Sequence, residues 1–572
     1  MPQDAFTLKY ICKELNEIFS GGKVNKIVQP DQDSVVLTIY TGKNTKKLYI
    51  SANPSSPRIG ILDSAKELPI ACPNFCMLLR KHLSSATING ISLALFDRIV
   101  RIDFTCSQEF FDAKNKTLFV ELMGRYSNVI LVEEGKVLGA NRGVNFFDNG
   151  VRPLIANKPY VYPPKNQKRE PSDSALISYF NDYNASENVT LADYIFNGVT
   201  GLAISTATEL ERLFYERNGT EKTADFGEKF FDFTNDFIKN TSVNPCIIKT
   251  GSKVKDVCVF DYKSISGERE FFGDLLTADS AYFSRKEYDK NFTLKKERFN
   301  SLVTTQIKKI KKRLSSVLAR KKDAETAEKN KLFGELILSN IYKIKLGDES
   351  ICAYNYYDNE MVEIPLNKEL SPSQNSNAYY KKYNKQKRAL EALSLQEKQA
   401  TEEMEYLYSI LDEINLVERL EDFSFIETEL KNYGLVKQMQ TKNKKLETSV
   451  GRTYFVKGYE VVVGRNNVEN DEITFSAKKE DVWLHAKLFH SSHVIIKAHG
   501  KDFPTEDTLK ISAEICAYYS KAREGGKTEI VYTLKKFVKK PPKAKPGSCV
   551  YTDFNSMIVE PKKHDNLLKN DL

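Results

Sequence analysis

The chain has 572 residues, a mass of 65.3 kDa and a formal net charge of +9, from 85 Lys and Arg against 76 Asp and Glu. Hydrophobic residues make up 41% and charged residues 28%, a globular composition that excludes a collagen-like or largely disordered chain. No apolar run approaches the ~18–20 residues that a membrane helix needs, so no membrane association is expected. At roughly 150 residues per domain, the length predicts about four domains.

The start of the chain and its cysteines both indicate a cytoplasmic protein. Asp4, Lys9 and Glu14 interrupt any apolar stretch at the start, so no secretory signal is expected. The nine cysteines are odd in number and no two are spaced CxxC, which argues against a disulfide framework and a zinc ribbon. We therefore expect a reducing compartment, no cofactor and no metal.

Residues 1–170 are predicted to form a strand-rich domain that opens with a helix. Leu8, Ile11 and Leu15 recur at helical spacing, and Gly21-Gly22 ends that pattern. A hairpin turn is predicted at 133–136. Alternating or apolar runs predict strands at 34–40, 47–50, 87–95, 99–104, 118–123 and 128–132.

Residues 175–270 are predicted to be mostly helical. An apolar helix, a short turn with Gly198 and Gly201, and a second helical pattern over 204–213 suggest a helix-hairpin-helix motif. Such a turn can offer backbone N–H groups to a phosphate. An ordinary packing corner between two helices fits the same pattern equally well.

Residues 280–438 carry two segments with coiled-coil spacing. One apolar seam runs through Val303, Ile307 and Ile310, and a second runs through Leu407 and Ile414. A short strand-rich insert at 350–366 separates them. This order predicts a long antiparallel hairpin with a small tip, although a homodimeric coiled coil has the same periodicity.

Residues 445–560 are predicted to be a small α/β domain with a basic loop. A strand hairpin is expected around Lys457-Gly458, and an amphipathic helix over 505–519. Residues 521–548 contain nine Lys and Arg against two Glu, a density that indicates phosphate binding more strongly than the whole-chain charge. A solvated surface loop is the alternative.

Two segments of the first domain carry candidate RNA contacts. At Asp97-Arg98, an acid and a base enter one strand side by side, where they are not expected to pair with each other. Arg98 suits a phosphate or guanine edge and Asp97 a base amino group, whereas a cross-strand ion pair is the structural alternative. Between two strands, Gly124 permits a tight turn beside Arg125 and Asn128, which are further candidate contacts.

The last domain holds a cluster of Trp483 with several histidines. Strand alternation places His485 and Lys487 on one face, and His493 follows nearby. The spacing matches no zinc motif, so an aromatic and imidazole surface beside the basic loop is predicted to bind RNA. At the other end of the chain, Pro2 invites a comparison with glycosylases that use an N-terminal proline amine, but those enzymes have Glu where this chain has Gln3.

Several sequence blocks, in order along the chain, resemble the NFACT family, also called fibronectin-binding-protein-A-like. In the last domain they include Gly464-Arg465-Asn466-Asn467 and Asp481-Val482-Trp483-Leu484-His485-Ala486-Lys487. In the first domain they are Gly21 to Pro30, Phe75 to Leu83, Asp97-Arg98, and Glu121-Leu122-Met123-Gly124-Arg125-Tyr126-Ser127-Asn128.

The resemblance implies a fold and a set of partners. It implies a multidomain α+β chain: a strand-rich N-terminal domain resembling a glycosylase N-domain, a helix-hairpin-helix domain, a long antiparallel coiled-coil hairpin and a small α/β C-terminal RNA-binding domain. The partners would be a large ribosomal subunit with peptidyl-tRNA, and alanine tRNA. The chain would act as a monomer in ribosome quality control, supporting mRNA-independent alanine tailing by the ribosome's own centre, and would need no catalytic residue.

The resemblance and the residue patterns together assign two groups of site residues. The predicted tRNA-binding residues are Asp97, Arg98, Glu121, Leu122, Met123 and Arg125. The predicted rRNA-binding residues are Arg465, Trp483, His485, Lys487, His493, Lys535, Lys536, Lys539 and Lys540. Two other classes of protein remain open as alternatives, a surface-associated fibronectin-binding adhesin and a formamidopyrimidine-type DNA glycosylase.

Overall fold

The computed structural model describes residues 3–62, 72–108, 111–143, 152–164, 167–183, 189–251, 253–437 and 450–569. It divides into two compact units, Met1–Tyr288 and Asp289–Leu572. Within the described residues, no helix is long and apolar enough to cross a membrane. The protein therefore has the predicted multidomain α+β architecture, with a nine-stranded antiparallel sheet, long helices and a six-stranded sheet near the other end of the described chain.

The first unit opens with a helix on a nine-stranded sheet. The elements are α1 (Ala5–Phe19), β1 (Lys23–Asp31), β2 (Ser34–Tyr40), β3 (Thr45–Ser51), β4 (Arg58–Ile61), α2 (Asn74–Leu83), β5 (Thr87–Leu93), β6 (Ile99–Gln108), β7 (Phe111–Glu121), β8 (Asn128–Glu133) and β9 (Lys136–Ala140). The strand order is β4-β3-β2-β1-β5-β6-β7-β8-β9, with antiparallel neighbours throughout. The predicted first helix and all six predicted strands are confirmed, with shifted ends.

Local sequence explains how this unit begins and turns. Asp4 caps α1 by accepting a hydrogen bond from the Thr7 backbone N–H, and the predicted apolar face of the helix is buried against the sheet. Between β8 and β9, Glu134 and Gly135 both have positive φ, as a two-residue hairpin turn of this hand requires. The predicted hairpin turn is therefore confirmed.

The rest of the first unit is helical and then strand-rich. It comprises α3 (Ala175–Asn181), α4 (Leu191–Gly198), α5 (Ile204–Asn218), α6 (Phe226–Asn240), β10 (Cys246–Thr250), β11 (Lys253–Cys258) and β12 (Glu268–Phe271). The expectation of a mostly helical segment fails at its end, because the last three elements form a small sheet. Ile247 and Val257 are buried in that sheet, as β-branched residues on a pleated surface favour.

Long helices pair into a hairpin in the second unit. The elements are α7 (Leu275–Ala324), which begins in the first unit, α8 (Ala327–Ser339), β13 (Ser350–Asn355), β14 (Glu360–Pro365), α9 (Pro372–Leu416) and α10 (Phe423–Tyr433). Arg313 pairs with Glu403 and Lys321 with Glu397, so the two arms run antiparallel. Both predicted seams are buried against each other within one chain, and the predicted strand insert lies between the arms.

The chain ends in a six-stranded antiparallel sheet domain. Its elements are β15 (Arg452–Val456), β16 (Tyr459–Val463), α11 (Asn467–Ser476), β17 (Val482–Ala486), β18 (Val494–Lys497), α12 (Glu506–Tyr518), β19 (Thr528–Leu534), β20 (Val538–Lys539), β21 (Val550–Tyr551) and β22 (Asn555–Val559). The order is β15-β16-β18-β17-β19-β22. One sheet face packs on α12 and the other on α11 and the β20–β21 pair, so both faces contribute to buried clusters.

Candidate functional site

A cavity of about 820 Å³ lies in the first unit. The start of β6, the end of β7 and the turn between α4 and α5 all border it. Its lining includes five of the six residues predicted to bind tRNA, Asp97, Arg98, Glu121, Met123 and Arg125. These residues belong to two separate sequence blocks, which the sheet brings together.

Strand pairing explains why the two blocks meet. Ile99 pairs with Glu121 in the β6–β7 ladder, and the Leu122 N–H donates to the Arg98 carbonyl at 2.8 Å. Because β6 begins where β7 ends, Asp97-Arg98 and the segment that starts at Glu121 share one edge of the sheet. The sixth predicted residue, Leu122, is fully buried in the core and does not border the cavity.

Asp97 and Arg98 form a half-exposed pair at the cavity wall. The Asp97 carboxylate accepts a hydrogen bond of 2.7 Å from the Arg98 backbone N–H, which fixes the entry to β6. Arg98 Nε lies 3.8 Å from Asp97 Oδ1, so the expectation that these neighbours do not pair is wrong. The contact is long, and the two side chains keep 28% and 30% of their surface exposed. Both therefore remain accessible to a ligand.

Glu121 has a different environment from the other predicted residues. Its carboxylate accepts two hydrogen bonds from the Arg152 guanidinium, at 2.5 and 2.9 Å, and one from the Tyr160 hydroxyl at 2.9 Å. The Glu121 side chain is only 2% exposed. Burial and the Glu121 carboxylate raise the pKa of Tyr160 above its usual range. The prediction that Glu121 itself contacts RNA conflicts with this geometry, because its acceptor atoms already have partners.

Three further cations border the cavity. Arg142 donates to Asp33, Arg152 holds Glu121, and Lys168 lies over the Phe196 ring at 4.0 Å and donates to the Phe196 carbonyl. Burial, and then the nearby Arg98, lower the pKa of Lys168. These cations could not be identified from the sequence because they lie in segments without periodicity. Arg142 and Arg152 each stand alone among uncharged neighbours, and Lys168 is followed by Arg169 in the segment after Pro163-Pro164.

Aromatic side chains complete the lining. Tyr126 is exposed, with the Arg125 guanidinium 4.7 Å from the centre of its ring, and Tyr162 and Phe196 are partly exposed. Asn128, another candidate RNA contact, is instead buried: its side chain hydrogen-bonds the Arg142 backbone N–H and carbonyl. The cavity thus combines positive charge, an accessible carboxylate and aromatic rings.

The turn between α4 and α5 is built against the start of α1. Asp4 accepts hydrogen bonds from the Ala203 N–H and the Thr206 hydroxyl, and the Gly201 carbonyl accepts one from the Ala5 N–H. Gly201 has a positive φ of 82°, and a Cβ there would lie 2.6 Å from the Phe96 carbonyl oxygen. Only glycine fits this close approach.

The residue beside the chain start has a structural role. Gln3 is buried, and its side-chain amide donates to Asp279 and to the Ile59 carbonyl, both at 2.9 Å. Pro2, on which the glycosylase comparison depends, lies outside the described residues. Within the described ranges, no cluster of three or more His, Cys, Asp or Glu side chains is arranged to hold a metal ion.

The second unit presents the predicted basic loop on its surface. Lys536, Lys539 and Lys543 are exposed. Lys540 is also exposed and forms an ion pair with Asp471, while half-buried Lys535 lies 5.8 Å from the Phe475 ring centre. Just outside the loop, Lys487 pairs with Glu529 at 2.9 Å.

The predicted aromatic and imidazole surface is wrong. Trp483 and His493 are buried, because α11 and the β20–β21 pair cover the sheet face that was expected to meet solvent. His485 stacks on Trp483 with 5.5 Å between ring centres, and burial lowers its pKa to about 4, so this imidazole is neutral near pH 7. Arg465, another predicted RNA contact, is also largely buried. It forms an ion pair with Glu469, and its guanidinium lies over the Phe425 ring.

Comparisons with known proteins match nearly the whole chain. The model of the NFACT N-terminal and middle domains matches residues 4–449, and that of the NFACT protein RNA binding domain matches residues 452–553. The protein named "Rqc2 homolog RqcH" of Bacillus subtilis is 31% identical over 96% of both chains, and that of Streptococcus pneumoniae serotype 2 is 31% identical over 98% of both. A solved N-terminal structure of the fibronectin/fibrinogen-binding protein from Streptococcus suis, 25% identical, covers 49% of this chain and 98% of that one with a TM-score of 0.41.

Proposed function

This chain belongs to the NFACT family, and on that premise we propose that it is an RNA-binding factor of ribosome quality control. Its partner is a large ribosomal subunit that still carries peptidyl-tRNA after a stalled ribosome has split. The chain recruits alanine tRNA to that subunit and supports alanine addition without mRNA. The resulting C-terminal tail marks the nascent chain for degradation.

The cavity of the first unit is the observation that carries this proposal. An arginine beside an accessible carboxylate suits a nucleotide, since guanidinium groups bind phosphates and guanine edges while carboxylates accept from base amino groups. Exposed aromatic rings such as Tyr126 stack on bases that are not paired. We assign tRNA contact to Asp97, Arg98 and Arg125, and assign Glu121 and Leu122 to the support of these residues.

We propose a division of labour along the chain. Residues 1–170 read the tRNA, the helices of the predicted 175–270 domain form a helix-hairpin-helix unit followed by the small β10–β12 sheet, 280–438 form the long arm, and 445–560 bind rRNA. In the last domain the exposed Lys536 and Lys539 carry the rRNA proposal, because neither is in an ion pair within the described residues. Lys487 and Lys540 support it less because each has a carboxylate partner, and Lys535 supports it less because it is half-buried. Buried Trp483 and His493 act by packing beneath these residues.

Peptide-bond formation belongs to the ribosome in this proposal. The chain presents a charged tRNA where the subunit's own peptidyl transferase centre can use it, which raises the local concentration of the reactant. Such a role requires a binding surface and long reach rather than a nucleophile. We expect the protein to act as a cytoplasmic monomer on the subunit.

The first test targets the cavity wall. We expect the double variant Asp97→Ala, Arg98→Ala to lose tRNA from complexes purified with large subunits, while subunit binding is retained. The matched control is Arg101→Ala, Asp103→Ala, which removes an Arg and Asp pair within β6 whose members do not border the cavity. Unchanged tRNA recovery in the first variant, with the fold intact by circular dichroism, would exclude this site.

The second test addresses tailing with purified components. Protein and charged alanine tRNA alone should give no polyalanine, whereas added large subunits with peptidyl-tRNA should give C-terminal alanine ladders by mass spectrometry. The cavity double variant should lose these ladders. Ladders of another residue would replace the alanine assignment, and an unextended nascent chain would contradict tailing.

A further inference from the structure

Two cysteines of the first unit lie at the start of α2 and contact each other. Cys72 and Cys76 are the closest two cysteines in the sequence, and Pro73, the residue that precedes the helix, stands between them. Cys72 is exposed and Cys76 is buried, and their thiols are hydrogen-bonded to each other. Burial, and then this hydrogen bond, raise the pKa of Cys76 to about 11. The pair therefore combines one sulfur that solvent reaches with one that it does not.

The contact between the two thiols is close to what a disulfide requires. A disulfide joins sulfur atoms about 2.0 Å apart and tolerates a narrow range of backbone separations. The two sulfur atoms are already neighbours, and Cys72 precedes α2, so its backbone can shift without breaking helical hydrogen bonds. Closing the bond therefore requires a local change at the start of the helix. In a reducing compartment, disulfides of this kind are usually transient and serve as redox sensors.

Three other cysteines show how exposure and proximity differ along the chain. Cys246 and Cys258 face each other as partners in the β10–β11 ladder, but both are buried. Cys352 is exposed, but no other cysteine is near it in the sequence. The buried pair has proximity without access, and Cys352 has access without proximity. These residues are therefore internal controls for the chemistry of Cys72 and Cys76.

The Cys76 sulfur also takes part in the contact between α2 and β1. The thiol donates to the Ile27 carbonyl at 3.8 Å, and the Gln29 backbone N–H donates to the sulfur. The β1–β2 register is irregular at Gln29, so this sulfur satisfies a backbone donor where the ladder is interrupted. A disulfide would draw the sulfur toward Cys72 and away from the Gln29 N–H.

Gln29 connects this contact to the wall of the cavity. Its side chain is buried, and the amide donates to Asn141 Oδ1 at 2.9 Å and to the Gln32 carbonyl at 3.2 Å. Asn141 precedes Arg142, which borders the cavity and donates to Asp33. A contiguous set of contacts thus leads from the thiol pair to the cavity, as coupling between two sites requires.

We propose that Cys72 and Cys76 form a peroxide-sensitive site whose reversible disulfide releases Cys76 from β1 and alters the cavity wall at Arg142. A hydroperoxide oxidises the Cys72 thiol to a sulfenic acid and is itself reduced to water or an alcohol. The Cys76 sulfur then attacks the Cys72 sulfur, the S–S bond forms, and the sulfenic hydroxide leaves with the Cys76 proton as water. A thiol reductant restores both cysteines by exchange. The effect on tRNA rests on the proposed function, whereas the disulfide and the release of β1 do not.

The first measurement follows the thiols of the full native chain. The protein is exposed to hydrogen peroxide in the presence of dimedone, which traps sulfenic acids, until Cys352 is oxidised, and it is then digested with trypsin. The tryptic peptide 67–80 holds both cysteines of the site, and we expect it to lose two hydrogen atoms and to carry no dimedone. Cys352 should be captured by dimedone, while Cys246 and Cys258 should stay reduced. Dithiothreitol should restore the original mass of peptide 67–80.

Two variants separate disulfide formation from simple oxidation of an exposed thiol. In Cys76→Ser the attacking sulfur is absent, so Cys72 should now carry the dimedone adduct. In Cys72→Ser the accessible sulfur is absent, so Cys76 should stay reduced. The proposal is overturned if dimedone captures Cys72 in the wild-type chain, if the disulfide joins two chains, or if peptide 67–80 stays reduced while Cys352 is oxidised.

The second measurement tests what the disulfide does to β1 and to the cavity. Hydrogen–deuterium exchange of the Gln29 amide should rise roughly 5-fold on oxidation, the effect of losing one net hydrogen bond, and tRNA affinity should fall by a similar factor. Peroxide should cause neither change in Cys72→Ser.

The outcomes distinguish this inference from the proposed function. Complete disulfide formation with unchanged exchange at Gln29 would overturn the release of β1, and increased exchange with unchanged tRNA affinity would overturn the effect on the cavity. A chain that forms the disulfide and shows the increased exchange, but binds no tRNA even before oxidation, would support the redox site and contradict the proposed function.

Discussion

The buried Glu121–Arg152 ion pair holds one wall of the cavity in place. Arg152 also donates from Nε to the Val161 carbonyl, and Tyr160 stacks on Phe119 with ring centres 4.1 Å apart. The segment 152–164 is therefore tied to β7 by one carboxylate and one aromatic contact. Because this segment borders the cavity, we expect Glu121 to affect the proposed tRNA binding by positioning other groups.

Glu121→Gln should loosen that segment without unfolding the unit, since backbone hydrogen bonds from Asn157 N–H to the Val137 carbonyl and from Tyr160 N–H to the Gly135 carbonyl remain. Removing one member of a buried ion pair costs about 3–5 kcal/mol because the other charge stays buried without compensation. We expect hydrogen–deuterium exchange of the amides in 152–164 to rise by roughly 100-fold or more, with little change in α1. The control is Asp103→Asn, which removes the carboxylate of the Arg101–Asp103 ion pair at the protein surface and should leave exchange in 152–164 unchanged. If the amides of 152–164 exchange at the wild-type rate in Glu121→Gln, the Glu121–Arg152 ion pair does not hold this wall of the cavity.

Asp279 gives the first unit a pH-dependent stability. Burial raises the pKa of this carboxyl to about 7, although Gln3 donates to it and Arg58 lies near. Since the ordinary pKa of Asp is about 4, the folded state holds the proton more tightly than the unfolded state. The contribution of this group is complete below pH ~4, and it is lost as pH rises through 7.

The variant Asp279→Asn should remove this dependence. The difference in thermal midpoint of the first unit, variant minus wild type, should increase as pH rises from about 4 to 7 and stay constant above it. Exchange-resolved melting of α1 amides isolates this unit from the rest of the chain. A difference that does not change with pH would mean that Asp279 is ionised in the folded protein.

Single residues also show where sequence reasoning succeeds and where it fails. Asp97 and Arg98 could be identified because an acid and a base stand side by side at the entry of a predicted strand and match a family motif, and both features are visible in the sequence. Trp483 and His493 were misplaced because alternation identifies two faces but not which face another element covers. Arg152 was missed because its role depends on a partner 31 positions away in the chain, Glu121.

At the level of elements, the arm depends on a narrow apolar seam between two long polar helices. Ile410 is fully buried in the same cluster as Ile307 and Val303, while most other positions of α9 are polar. Helices of this composition gain most of their stability from such packing. The periodic spacing and the insert between the two seams predicted this element as a hairpin within one chain, although a homodimeric coiled coil has the same periodicity.

Ile410→Ala should loosen the arm. Truncating a buried Ile costs about 2–5 kcal/mol, so amide exchange in the adjoining turns of α7 and α9 should increase. Leu395→Ala, an exposed site on the same helix, should change exchange by little. If both variants behave alike, the seam does not stabilise the arm.

At the level of the whole molecule, the exposed lysines of the last domain fall into two groups, those in an ion pair with a carboxylate and those that are not. Lys536, Lys539 and Lys543 are exposed, and within the described part of the chain none of them is in an ion pair. Lys540 pairs with Asp471 and Lys487 with Glu529. A lysine that already has a carboxylate partner must leave that carboxylate to bind a phosphate. The freed carboxylate then attracts a cation, so fewer counterions are released in total when the RNA is bound.

The salt dependence of binding to large subunits should therefore separate these two groups of lysines. Each phosphate contact contributes about 0.7–0.9 to the slope of log K against log salt. Replacing Lys536, Lys539 and Lys543 with Gln should reduce the slope by about 2–3, whereas Lys487→Gln with Lys540→Gln should change it less per residue. Equal changes per lysine would mean that the ion pairs open on binding, and an unchanged slope in the triple variant would assign the loop to solvent. Because the slope reports phosphates alone, binding that persists at high salt in the triple variant measures the contacts made elsewhere in the chain.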